Sequence, residues 1–152
     1  MSEWNNYPES IENKEGFVYI VINNHPDSLK KYYIGQKKFL KKTKLKANKT
    51  RKRDKIVYKD NDVEQYWGSS KELLSDIEKY GIDHFKKYVI EVCDTKWHMT
   101  YAELKWQLEF DVLMDGKSYN SIINIRLNKP PKSYLDIERS RDKLLKELNL
   151  VW

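Results

Sequence analysis

Cysteine is nearly absent from this chain. Cys93 has no partner within it, which excludes an internal disulfide framework and a cysteine-built zinc site. No apolar run approaches the roughly 20 residues that span a bilayer as a helix, so no membrane partner is expected. The opening "MSEWNNYPES" lacks the basic start and apolar stretch of a secretory signal, and the expected compartment is the cytoplasm. Repeats are lacking too, and 152 residues favour one domain with a real core. Acid is missing from one place: residues 36–53, "QKKFLKKTKLKANKTRKR", carry ten Lys or Arg and no Asp or Glu. The whole chain has 29 basic and 23 acidic residues, so outside that stretch 19 basic residues face 23 acidic ones. The basic character is therefore local. Ten like charges repel one another unless something neutralises them, and a polyphosphate is the natural neutraliser. The expected DNA contacts are Lys37, Lys38, Lys41, Lys42, Lys44, Lys46, Lys49, Arg51, Lys52 and Arg53. A merely solvated, lysine-rich loop is the duller alternative.

What is present reads as short strands and amphipathic helices. "FVYIVI" at 17–22 is apolar and β-branched, the mark of a buried strand. Turn formers around Pro26 and Asp27 follow, and "YYIG" at 32–35 reads as a second strand stopped by Gly35. The basic segment shows little periodicity and is expected to be a loop or partly helical. Ser69 and Glu72 fit a capping box, with Leu73, Ile77 and Tyr80 on one face and Gly81 closing the helix. "KKYVIEVC" at 86–93 is a third strand candidate, and a second helix is expected from Thr100 to about Leu113. Its apolar residues wrap more than one stripe, which predicts a centrally buried helix. "IINI" at 122–125 is a further short strand candidate, and a last helix is expected over 133–148, after Pro130 and Pro131.

Taken in order, "FVY" at 17–19, "YIG" at 33–35, "YWGSSKELLSDIEKYGIDHF" at 66–85, "YAELKWQ" at 101–107 and "YN" at 119–120 resemble the GIY-YIG nuclease family. The resemblance spans about residues 16–124. It is strongest to small free-standing homing endonucleases of phages and other mobile elements. It implies hydrolysis of double-stranded DNA with one divalent ion, Mg2+ or Mn2+. It further implies Tyr19 as the group that takes a proton from, or orients, the attacking water, Tyr33 as an assisting hydroxyl and Glu103 as the metal ligand. Asn120 becomes an amide that braces the site or touches the phosphate. A single carboxylate suits magnesium, which keeps several waters and borrows substrate phosphate oxygens.

Local alternatives stand beside each assignment. Tyrosine favours strands for its own sake, and a register one residue away would present Tyr32 instead of Tyr33. Thr100 and Glu103 form a legitimate capping box, which would make Glu103 a helix-start residue. Glu109 and Asp111 are weaker acid candidates, and Gln107, one turn beyond Glu103, could support it. His25, His84 and His98 show no ligand spacing. The family's arginine, normally on the helix after YIG, has no counterpart; Lys41, Lys42 or Lys44 stands in that stretch, and Lys42 is taken as the catalytic cation. Arg51 or Arg53 folding back is the other option.

The expected architecture is α+β, with a small, mostly antiparallel three-stranded sheet flanked by helices. Residues 1–15 form an N-terminal extension, 16–127 the nuclease-like domain with a basic insertion at 36–55, and 128–152 a C-terminal helical extension. Cutting both strands from one metal site implies two successive nicks or a transient homodimer on DNA. The rival functions are a catalytically degenerate DNA-binding protein of the same fold and a basic RNA-binding protein.

Overall fold

Strand β1 (Gly16–Asn23) is the central strand of its sheet and is buried on both faces because a hydrophobic cluster packs on each. It pairs antiparallel with β2 (Tyr32–Lys38) on one side and with the later strand spanning Phe85–Cys93 on the other. The computed structural model describes residues 3–130 and 145–149. Two further strands, β3 (Leu40–Leu45) and β4 (Lys55–Asp60), form a separate two-stranded ribbon. Helix α1 (Lys71–Tyr80) and a 3-10 turn (Ile82–His84) precede β5 (Phe85–Cys93), and α2 (Lys96–Glu109) follows it. The α+β class and the antiparallel three-stranded sheet are as expected. No helix among the described residues is long and apolar enough to cross a membrane.

Residues directly opposite in an antiparallel pair share a face, so the register assigns each side chain. Tyr19 sits opposite Gly35, and Val21 opposite Tyr33. With Phe17 they build one core with Leu73 of α1, Phe39, Val63 and Val89. Val18, Ile20, Tyr32 and Ile34 point the other way and pack on Met99 and Ala102 of α2. A β-bulge against β5 falls between Val18 and Tyr19, the kind of irregularity that re-aims a side chain.

Edge strands carry unpaired backbone groups, and both edges of this sheet are covered locally. Asn5 donates its N–H to the Lys87 carbonyl at 3.0 Å and accepts from Val89 N–H at 2.9 Å on the outside of β5. Trp4 beside it is buried and donates its indole N–H to the Val63 carbonyl at 2.8 Å. Lys87 is buried as well; its ammonium donates to the Glu64 and Tyr66 carbonyls and lies 4.5 Å from the ring centres of Trp4 and Trp67.

Several expectations are corrected. Gly35 does not stop β2, which runs on to Lys38; glycine is needed there because a Cβ would lie 2.6 Å from the Tyr19 hydroxyl. The basic segment is a β-ribbon, since its second arm "KIVYK" supplies the β-branched and aromatic residues that pair with the lysine-rich arm. The α1 cap is Ser70, which accepts from Leu73 N–H, one residue later than expected. Helix α2 starts at Lys96, capped by Thr95, and ends at Glu109, with Asp111 in the left-handed region (φ 53°) that Asp tolerates. It lies on one face of the sheet and is not central: Leu108 and Leu113 are exposed. Residues 122–125 form no strand, because the β2 edge is already occupied by residues 118–120. The expected last helix falls mostly outside the described residues.

Candidate active site

A cleft of about 460 Å³ opens beside the β2 edge that residues 118–120 cover. Tyr33 and Asn120 come to it from the strand edge, Ser69 and Lys71 from the start of α1, and Glu103 and Gln107 from α2. Backbone pairing draws these elements together. Asn120 accepts Ile34 N–H at 2.9 Å through Oδ1 and donates to the Ile34 carbonyl at 2.8 Å through Nδ2, in the manner of a neighbouring strand. Gln107 Nε2 donates to the same carbonyl at 3.3 Å from α2. Tyr119 N–H donates to the Tyr32 carbonyl at 2.7 Å. Its hydroxyl donates to Asp76 Oδ2 at 2.6 Å and accepts from Asn23 Nδ2 at 2.8 Å, tying the segment to α1 and β1.

Glu103 projects from the middle of α2. Thr100, expected to cap the helix start, is inside it and donates its hydroxyl to the Lys96 carbonyl at 3.0 Å. The capping role is therefore excluded for Glu103. Its Oε1 accepts from Gln107 Nε2 at 3.1 Å, one turn on, while Oε2 is buried without a hydrogen-bond partner. Burial pushes its carboxyl up to about 7, with the Gln107 bond pulling weakly the other way. A buried acceptor with nothing to accept from is costly, and such a site favours an added cation or proton.

The two motif tyrosines part company. Tyr33 is half-buried, and its hydroxyl lies 3.1 Å from Ser69 Oγ at the cleft wall. Tyr19 is buried and is not among the lining residues; its ring packs edge-on to Tyr66 at 5.9 Å and lies 6.2 Å from Tyr33. Burial, then the neighbouring phenols, hold the Tyr19 hydroxyl well above its ordinary range, and burial raises Tyr33 too. Both are neutral phenols near pH 7. Gly68 (φ 113°) closes this wall, where a Cβ would stand 3.2 Å from the Tyr33 ring. Tyr32 faces the opposite side and donates to Asp115 Oδ2 at 2.8 Å.

Lys42 is exposed on β3, outside the cleft lining, as are Lys41 and Lys44. Arg51 and Arg53 lie at the ribbon tip, where Arg51 donates to the Lys46 carbonyl. Glu109 and Asp111 are exposed beyond the cleft. Lys71 is the cation among the described lining residues. Sequence reasoning passed over it because a lysine at a helix start looks like any surface charge, and it passed over Ser69 as a hydroxyl partner because the serine resembled a cap.

A second cluster lies elsewhere. Glu91, Cys93 and His98 offer ligand atoms within 4.8 Å of one another, a grouping invisible in the sequence because β5 and α2 meet only in the fold. Glu91 is already engaged by His98 Nε2 at 2.7 Å, Lys105 Nζ at 2.6 Å and Trp106 Nε1 at 3.0 Å. Burial raises the Cys93 thiol to about 12, far from the thiolate that binds metal.

The cleft thus sets Tyr33 at a strand edge beside Glu103 of a helix. Residues 1–123 match the family model described as "Putative endonuclease segE, GIY-YIG domain", and the chain belongs to this GIY-YIG family. Comparison with curated proteins and with solved structures returns no match.

Proposed function

We propose that this protein is a divalent-metal-dependent endonuclease that hydrolyses phosphodiester bonds of double-stranded DNA, of the homing type carried by phages and other mobile elements. The observation that carries the reading is the partnerless, buried Oε2 of Glu103, a residue that lines a cleft with Tyr33, Lys71 and Asn120. The donors available are oxygens, which fit magnesium or manganese better than a softer ion. Glu103 would hold the ion, and a bound ion supplies charge stabilisation at the phosphate. Gln107 orients the Glu103 carboxylate through its 3.1 Å hydrogen bond. The Tyr33 hydroxyl, paired with Ser69, orients the attacking water; as a neutral phenol it positions rather than deprotonates. Lys71 grips the scissile phosphate in place of the family's arginine. Asn120 braces β2 through Oδ1 and one of its two Nδ2 hydrogens, and the second hydrogen is available to a phosphate oxygen. Tyr19 supports Tyr33 and Gly35 from below.

The test is plasmid nicking by the purified protein with magnesium, comparing wild type with Glu103→Gln and Tyr33→Phe. Metal-dependent nicking by wild type, lost in Glu103→Gln and reduced in Tyr33→Phe, is the expected result. Binding of DNA without nicking under every metal condition would instead favour the degenerate DNA-binding reading.

A further inference from the structure

The β3–β4 ribbon is difficult to explain as scaffold. A two-stranded ribbon is marginal in water unless a face is packed, yet only Thr43 and Val57 are part-buried here, and they are paired with each other. Tyr58, Ile56 and Leu40 are 62, 48 and 41% exposed. Lys41 stands directly opposite Lys59, a like-charge pair that disfavours the ribbon by itself. Residues 40–60 carry ten Lys or Arg against Asp54 and Asp60. Nevertheless the ribbon is anchored and shaped. Phe39 is buried at its base, Asn61 Nδ2 donates to the Lys38 carbonyl at 3.0 Å, and Asn48 Oδ1 organises the tip by accepting from Thr50 and Arg51 N–H. An anchored ribbon with both faces open and a strong positive charge is complementary to a polyanion.

We infer that β3–β4 inserts into the major groove of duplex DNA and reads base edges, with Lys41, Thr43, Leu45, Lys55, Val57 and Lys59 on the inserted face. This rests on the reading of the substrate as duplex DNA. The register puts these six on one face. The Lys41–Lys59 pair at one end and Lys55, opposite Leu45, at the other flank Thr43 and Val57, so charge reaches the phosphates while Thr43 and Val57 meet the groove floor. Threonine can hydrogen-bond to base edges or contact a thymine methyl. The B-form major groove, about 12 Å wide, admits a two-stranded ribbon. Each six-residue strand is roughly 20 Å long, about six base pairs. The ribbon continues the site-bearing strand after the single residue Phe39. The seven residue steps from Tyr33 to Leu40 span at most about 23 Å, so the bases read lie on one side of the cut and within about 13 base pairs of it. The ribbon thereby supplies sequence readout within the family domain itself.

The test uses the full chain in chelator, bound to a pool of randomised DNA duplexes and then to the selected sequence. Methylation of guanine N7, in the major groove, within about 13 base pairs of one side of the cut should weaken binding about tenfold or more. Lys41→Gln with Lys59→Gln should lower the slope of log affinity against log salt by about 2. Thr43→Ala should change the preferred bases while leaving that slope intact. Interference confined to minor-groove adenine N3, or an unchanged slope in the double variant, would overturn the inference. So would tighter binding to double-stranded RNA, whose deep, narrow major groove excludes a ribbon. The two readings fail differently. Metal-dependent cutting with ribbon variants that bind like wild type removes the ribbon and keeps the nuclease. Ribbon-dependent, major-groove binding without cutting removes the nuclease and keeps the ribbon.

Discussion

Asn120 pairs with Ile34 as a strand would, accepting from its N–H at 2.9 Å and donating to its carbonyl at 2.8 Å. One side chain thus closes the edge of β2 beside the cleft and leaves Tyr33, the next residue back, facing it. Replacing Asn120 by Ala removes both bonds, leaving the Ile34 N–H without this partner and its carbonyl with Gln107 alone. The expected loss is about 1–3 kcal/mol of stability, measured by urea denaturation with an unchanged m value. Nicking should fall further than stability, because the strand edge under Tyr33 loosens. A variant as stable as wild type would show that water replaces the amide there.

Gly35 and Tyr19 are a matched pair. A methyl at position 35 would lie 2.6 Å from the Tyr19 hydroxyl and 2.8 Å from its ring carbon. Gly35→Ala should cost about 1–3 kcal/mol by overpacking, seen as a lower Tm. Tyr19→Phe removes only the hydroxyl and makes room at that contact. The double variant Gly35→Ala with Tyr19→Phe should recover part of the lost Tm; no recovery would mean that the clash is relieved elsewhere.

The raised Glu103 carboxyl has a stability consequence whose sign is fixed. The folded state keeps this proton up to about pH 7, whereas an ordinary carboxyl in the unfolded chain loses it near 4.5. Between those values the folded state binds the extra proton, so stability falls as pH rises and levels off above 7. The loss should be about 2 kcal/mol, less than the full displacement converts to because the group is partly open to solvent. In chelator, Tm should drop from pH 5 to pH 8 more in wild type than in Glu103→Gln. Magnesium at pH 8 should restore wild type and leave Glu103→Gln unmoved.

Lys71 and Lys42 should separate by kinetics. Lys71→Ala is expected to lower kcat about a hundredfold or more, as the loss of a charge-stabilising donor does, with stability within about 0.5 kcal/mol for an exposed helix-start residue. Lys71→Arg should retain much of the rate. Lys42→Ala, outside the cleft, should raise KM in a salt-dependent way at nearly constant kcat. The reverse pattern would move the phosphate grip to the ribbon.

The three strands of the main sheet, the first helix, the motif residues and the location of the positive charge were legible in the sequence. Strand alternation, helix periodicity and unpaired charge are local properties that survive without the fold. Tyr33, Glu103 and the supporting Gln107 were legible for the same reason, being carried by short motifs on regular elements, and Asn120 by its motif alone, since its backbone is irregular. The tertiary structure alone decided which of these meet. Whether Gly35 ends a strand or continues it depends on the Tyr19 ring across the sheet, 16 residues earlier. Whether Glu103 begins a helix or faces a cleft depends on Thr95 capping first. The lysine run pairs as a ribbon only because "KIVYK" returns to it. Lys71 faces the cleft because Asn120, Tyr119 and Gln107 close the β2 edge beside α1. The Thr95 cap is local; the others are long-range pairings, and no short window of sequence contains both of their partners.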